Sequence, residues 1–517
     1  MKKLFYLLAV SFVLYTCGSQ QNTSKTVESA PAKTVAEYAS TITADELKTD
    51  LYTYASDEFE GRETGAEGQK KAVNFLKERY ESLGIPAAKK DGNYFQEVPL
   101  EVLEAPTVEL SIDGQSFNPI DDFVSALGTS SGTINTDEIV YADYGIEDEN
   151  YSSYKDLDVE GKVVLIKSGE PKDANGNYLV TGTTENSKWS NFRQEYAEKR
   201  DLAKKKGVKA LLFYYPEVYS FVSRRFGSGS GRMSLKGNPE NMYYIFVSDS
   251  LAKAINNDIE TDTTPKVLKK KFAMDFTKNI KEFSSENVAA FLKGTEHPDE
   301  VIVVSAHLDH EGVKNGEVYN GADDDGSGTV AVLQIADAFK QAAKDGNGPK
   351  RSILFLHVTG EEKGLLGSQY YTDFDPIVPL ANTVADLNID MIGRIDPAHE
   401  NSPNYLYLIG SDKLSTELHN LSEEVNKDCC NLVFDYTYND ENDPNRFYYR
   451  SDHYNFAKNN IPVIFYFNGT HADYHQPSDT PDKINYEFLQ DRTRLIFQTA
   501  WKVANLEHRL IVDKEFH

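Results

Sequence analysis

Four apolar runs constrain the fold more than any other feature of the chain: Val301 to Ser305, Ser352 to Val358, Thr383 to Ile389 and Pro462 to Phe467. Each is short, rich in β-branched or aromatic residues and apolar at most positions, the pattern of a strand buried on both faces. Helical patterns come after most of them, beginning near Ser327, Gly364 and Leu414, and a long final helix starts at about Tyr486. Strands of this kind alternating with helices specify an α/β structure, a sheet sandwiched by helices.

The 517 residues exceed one ordinary domain and suggest roughly three units at ~150 residues each. Upstream, Leu47, Leu51 and Tyr54 mark one helix, and Ala72, Phe75, Leu76, Tyr80 and Leu83 mark a second that stops at Gly84. Between them lies the turn-like Phe59 to Gly65. A separate texture begins near Phe123 and ends near Thr277. Gly161 to Ile166 reads as a buried strand, Phe192 to Lys206 as a charged helix closed by Gly207, and Val208 to Tyr214 as another strand. This succession of strand, Lys-rich helix, Gly and apolar strand resembles the protease-associated domain, a β-rich α+β unit found as an insert. The divisions expected are 1–16 (export signal), 17–40 (tether), 41–122 (N-terminal part of the main domain), 123–280 (insert) and 281–517 (main domain).

Lys2 and Lys3 precede an apolar run from Leu4 to Leu14, shorter than the ~20 residues a membrane span needs. The run ends in Leu14-Tyr15-Thr16-Cys17-Gly18, which resembles a bacterial lipobox, although Thr16 stands where a smaller residue is usual. Lipidation at Cys17 would leave a Ser-, Thr-, Gln- and Ala-rich tether holding an exported, periplasmic or cell-surface domain to a membrane. Of the three cysteines, Cys429 and Cys430 remain; a vicinal disulfide is strained, so two free thiols are expected. No cysteine spacing suits zinc, so any metal must be held by His and carboxylates. The net charge of −27 excludes nucleic acid as a partner, because a polyanion would be repelled.

The four strands matter because of the residues at their carboxyl ends. Val301 to Ala306 ends at His307-Leu308-Asp309, and Ser352 to Thr359 ends at Gly360-Glu361-Glu362. Thr383 to Ile389 ends at Asp390, and Pro462 to Phe467 leads to His471-Ala472-Asp473-Tyr474-His475. Asn320 to Gly326, with three consecutive aspartates, forms a tight acidic turn before a helix. Taken singly, each has a bland explanation: paired glutamates suit a helix start, and aspartates suit turns and caps. In open α/β sheets, however, sites form outside the carboxyl ends of strands. So much acid on one rim would repel itself unless cations sat there.

The ordered set HLD, GADDDGSG, TGEE-x-GLLGS, NIDMIG and YHQPSDTPDK resembles the M28 family of zinc aminopeptidases, with Phe59 to Gly65 similar to that family's N-terminal element. The resemblance implies the zinc-exopeptidase fold, a mixed sheet between helices, and two Zn(2+) ions. His307 and Asp390 would hold one, Glu362 and His475 the other, and Asp324 would bridge them. Imidazole and carboxylate suit zinc, and two close metals can share a carboxylate. Asp309 would accept the other ring N–H of His307, with Asp479 in a related supporting role. Glu361 would be the general base on a metal-bridging water, and Tyr474 would donate to the developing oxyanion. His310 is expected outside the ligand set, which the five residues already complete. Arg450-Ser451-Asp452-His453 would shape the wall near the metals, and the Tyr-rich stretch Asp443 to Tyr449 would line a side-chain pocket. The substrates implied are peptides with a free N-terminus.

Other activities share the scaffold. A one-metal glutaminyl cyclase is disfavoured by the presence of both His307 and Asp390. A carboxypeptidase selective for acidic residues calls for an arginine cluster, and only Arg394, Arg446 and Arg450 lie near the motifs. A catalytically dead, lipid-anchored binding scaffold would have lost ligands or the base, and all six residues are present.

Overall fold

The computed structural model describes residues 33–125, 130–192, 194–227, 232–237 and 242–515. Its centre is a nine-stranded mixed sheet. Four neighbouring strands, Val463–Phe467, Thr383–Ile389, His297–His307 and Arg351–Val358, run parallel. They coincide with the four apolar runs read from the sequence, except that the last strand starts at Val463, one residue after Pro462. Antiparallel neighbours flank them: Tyr405–Ile409 on one side and Ile280–Leu292 on the other.

Alternation along the central strand divides the core. Ile302, Val304 and Ala306 pack with helices Ala44–Tyr54, Gly328–Lys344 and Tyr486–Ala504, whereas Val301 and Val303 face the layer of Tyr371 and Phe456. Each face is therefore covered, as parallel strands require. The early helix Glu67–Leu83 ends at Gly84 in the left-handed conformation (φ 71°), a glycine-favoured way of satisfying the last carbonyls.

A second body has a six-stranded sheet and a four-stranded sheet with apolar side chains between them. It starts earlier than residue 123. Thr107–Ile112 pairs with Phe272–Thr277 in the four-stranded sheet, so strands on both sides of that boundary belong to one body. The long antiparallel pair Phe95–Leu103 and Ile280–Leu292 carries the chain out of the main sheet and back. Arg232–Leu235 returns from the second body to the edge of the main sheet, beside Phe95–Leu103.

Three expectations meet the structure unevenly. The export signal and Cys17 lie outside the described residues. Helix Val35–Ala39, with Tyr38 buried, falls within the stretch read as tether, so packed structure begins before residue 41. Cys429 and Cys430 are joined in a disulfide and are not two free thiols. Cys430 caps a helix and has left helical geometry (φ −129°, ψ −30°), which lets the adjacent side chains meet. Among the described residues no helix is long and apolar enough to cross a membrane.

Candidate metal centre

The acidic turn assigns its three aspartates different tasks. Asp323 accepts hydrogen bonds from Gly393 N–H (2.7 Å) and the Ser327 hydroxyl (2.9 Å), and faces His471 Nε2 at 3.1 Å. Asp325 accepts from the backbone N–H groups of Gly328 (2.9 Å), Met391 (3.1 Å) and His307 (3.2 Å). Both outer carboxylates are thus spent on holding neighbouring loops. The middle one, Asp324, is buried with Oδ2 free of any hydrogen bond. Its backbone N–H and that of Asp323 donate to Asp479 Oδ2 at 3.2 and 2.9 Å, so Asp479 supports the turn from beneath.

Around Asp324 the strand ends converge. His307 Nε2 lies 3.1 Å from Asp324 Oδ1 and 3.6 Å from Asp390 Oδ1. His475 Nε2 lies 3.1 Å from Asp324 Oδ2 and 3.1 Å from Glu362 Oε2. One carboxylate therefore presents an oxygen to each of two imidazoles, and each imidazole has a further carboxylate beside it. The five residues read as ligands come together. Asp325 also lies near enough to His307 and Asp390 to hold an ion with them, but the three N–H groups on its oxygens argue against that.

The donor set fits zinc. Ligands at about 2.0–2.1 Å from a tetrahedral ion stand roughly 3.3 Å apart, close to the 3.1 to 3.6 Å separations found here. The buried atoms His307 Nε2, Asp324 Oδ2 and Glu362 Oε1 have no hydrogen-bond partner, which is costly unless a cation accepts their lone pairs. Protons mark the same need. Burial pulls His475 down, but Asp324 and Glu362 outweigh it and raise the ring to about 10. Burial likewise opposes protonation of His307, yet Asp390, Glu361 and Asp324 hold it well above its ordinary value. Burial and Asp324 push Glu362 up, and His310 and His475 carry it down to about 2.

Glu361 sits beside the ligand residues with its carboxyl under their charges. Its backbone N–H donates to Asp309 Oδ1 at 3.2 Å, and burial, then the charges of Asp390, Glu362 and Asp452, hold its carboxyl well above the usual range. Tyr474 stacks on His475 with ring centroids 4.0 Å apart. Burial and the neighbouring carboxylates raise its hydroxyl, so it stays a donor.

Asp309 behaves differently from the expectation. The His307 Nδ1 contact is to the backbone carbonyl of Asp309 at 3.0 Å, while the carboxylate is 4.0 Å away. That carboxylate is taken by the Thr64 hydroxyl (2.7 Å) and Glu361 N–H. It links the N-terminal element to the loop carrying Glu361, and the His307 tautomer is set by main chain. Ser451 donates to Asp390 Oδ2 at 2.7 Å, a specific contact in a segment expected only to shape the wall.

Arg62 escapes a reading of the sequence. It is fully buried and donates to the carbonyls of Leu308 (3.1 Å), Asn320 (2.6 Å) and Gly321 (2.9 Å), with its guanidinium 4.6 Å from the Tyr54 ring. One side chain thereby fixes the loop after His307 to the loop before Asp324. The only sequence signal is a lone arginine in a Gly-flanked turn, which ordinarily reads as surface.

The chain is similar to known proteins in sequence and in fold. Residues 287–500 match the model of Peptidase family M28, and all five converging residues and Glu361 fall inside that segment. Over 489 residues the chain is 27% identical to probable leucine aminopeptidase 2 of Aspergillus oryzae, covering 87% of this chain and 81% of that one. It is 33% identical over 122 residues to Aminopeptidase YwaD of Bacillus subtilis, 23% of this chain and 24% of that one. Among solved structures, the aminopeptidase from Aneurinibacillus sp. strain AM-1 shares the fold at a TM-score of 0.51 and 17% identity, over 93% of this chain and 98% of that one.

Proposed function

We propose that this chain is a zinc aminopeptidase that binds two zinc ions and removes N-terminal residues from peptides, with Glu361 as its general base. The single observation carrying the proposal is the arrangement about Asp324, one imidazole facing each carboxylate oxygen at 3.1 Å. Similarity to aminopeptidases over most of the chain supports the substrate class.

Zinc bound between these side chains supplies Lewis-acid polarisation and positive charge. The protein supplies the rest. Glu361 takes a proton from the attacking water on its carboxylate and returns it to the leaving amine nitrogen. Asp309 and Thr64 fix the backbone that presents Glu361. Tyr474 donates its hydroxyl hydrogen to the developing oxyanion.

Glu361→Gln tests the assignment. Zinc content should stay at two per chain and the fold intact, while kcat on free-amine aminoacyl anilides falls by roughly 10²–10⁴-fold. Full activity in this variant would sink the base assignment. Cleavage of N-acetylated peptides in preference to free ones would sink the aminopeptidase reading.

The proposal extends to the start of the chain and to the second body. Export with lipid attachment at Cys17 is supported by Lys2, Lys3, the Leu4 to Leu14 run and the lipobox-like stretch. A protease-associated identity for the second body is supported by its strand, helix, Gly and strand succession.

A further inference from the structure

His310 immediately follows the HLD motif, and nothing in the five-residue ligand set requires it. It is nonetheless fully buried, and neither ring nitrogen makes a hydrogen bond. A histidine placed there for packing alone would leave polar ring nitrogens unpartnered in the interior, which is costly. Its Nδ1 lies 2.8 Å from Glu362 Oε1 and 3.7 Å from Asp324 Oδ2. Those oxygens are themselves buried and without hydrogen bonds. The 2.8 Å approach to Glu362 is a close contact of opposite charge without hydrogen-bond alignment. His307 Nε2 shows the same signature, close to carboxylate oxygens yet hydrogen-bonded to none.

The pocket is built to hold the ring there. The His310 backbone N–H donates to the Arg62 carbonyl at 3.2 Å. Gly321 (φ 53°) lies so close that a Cβ would sit 2.5 Å from the imidazole and 2.2 Å from Asp324 O. The His475 ring stands at a steep angle to that of His310, with centroids 5.7 Å apart. His310, Asp324 and Glu362 offer one ligand atom each within 4.8 Å of one another.

From this geometry we infer that His310 is a further metal ligand, sharing with Glu362, His475 and Asp324 the second of the two ion sites. The inference rests on the two-zinc reading above. It makes the centre unequal: three protein residues at the His307 site against four at the His475 site. Because an added ligand raises both affinity and coordination number, the ion at the His475 site is the one retained when the other is stripped.

Two measurements decide it. X-ray absorption of the wild-type protein loaded with zinc alone should count three imidazoles for two ions; two imidazoles would overturn the inference. Equilibrium dialysis of His310→Asn against a graded chelator should show one ion bound at least ~100-fold more weakly, beyond the 10–100-fold expected of a residue that merely orients a ligand. The visible spectrum of the cobalt(II)-loaded variant should gain intensity at that site as its coordination number drops. An unchanged spectrum with unchanged retention would also overturn it. His475→Ala separates the two levels: if that variant still binds two ions tightly, the site reading itself fails, whatever His310 does.

Discussion

Replacing His357 with glutamine should make the protein less sensitive to acid by a calculable amount. His357 is buried in strand Arg351–Val358 with Nε2 2.7 Å from the Tyr80 hydroxyl, and burial pushes it from 6.5 down to about 3. The native ring is neutral and accepts from Tyr80. In the unfolded chain the ring binds a proton at its ordinary value, so unfolding takes up a proton anywhere between pH 6.5 and about 3. The contribution is in place at neutral pH and is lost as the pH falls through that window. At pH 4.5, two units below the unfolded value, the loss is roughly 2.7 kcal/mol, against a few tenths at pH 7. Glutamine keeps an acceptor for Tyr80 and does not titrate. Urea unfolding of both proteins at pH 7 and pH 4.5 gives the double difference, in which protonation of the metal centre is common to both and cancels. Wild type should lose about 2.5 kcal/mol more than the variant. Equal losses would refute the claim that the fold holds this ring neutral. Acid sensitivity will remain in the variant, because burial also holds His453 at about 3.

Arg62→Lys should destabilise the fold by about 3 kcal/mol, since one ammonium cannot reproduce the fork that reaches the Leu308, Asn320, Gly321 and Tyr54 carbonyls. It should also weaken zinc retention, because the loops after Leu308 and before Asp324 lose their common anchor; a stable variant with wild-type metal content would contradict this. Cys17→Ser should move the protein from the membrane to the soluble fraction of the producing cell. Unchanged fractionation would remove lipid attachment from the proposal.

How much of this was readable without coordinates depends on how many partners a side chain has. The four central strands were legible because each carries a run that is mostly apolar and buried on both faces, a property written in consecutive residues. The start of the second body was not. Thr107–Ile112 alternates exposed and buried positions like any edge hairpin, and its partner Phe272–Thr277 lies far away in sequence. Nothing local says which sheet it joins. In the acidic turn, sequence resemblance singled out Asp324, but the reason appears only in three dimensions, where N–H groups claim the oxygens of its two neighbours. Asp309 shows the converse error: the expected role belonged to its backbone carbonyl, which every residue carries and no motif can mark. His310 falls outside any scheme in which five ligands satisfy a counting rule. Counting treats the centre as a set of residue types, whereas an imidazole with both nitrogens buried and without hydrogen bonds, beside carboxylate oxygens equally without them, is a statement about electrostatic cost. Arg62 and Gly321 give that cost a structural origin, since the same clamp that aligns His307 with Asp324 also forces the His310 ring against Glu362.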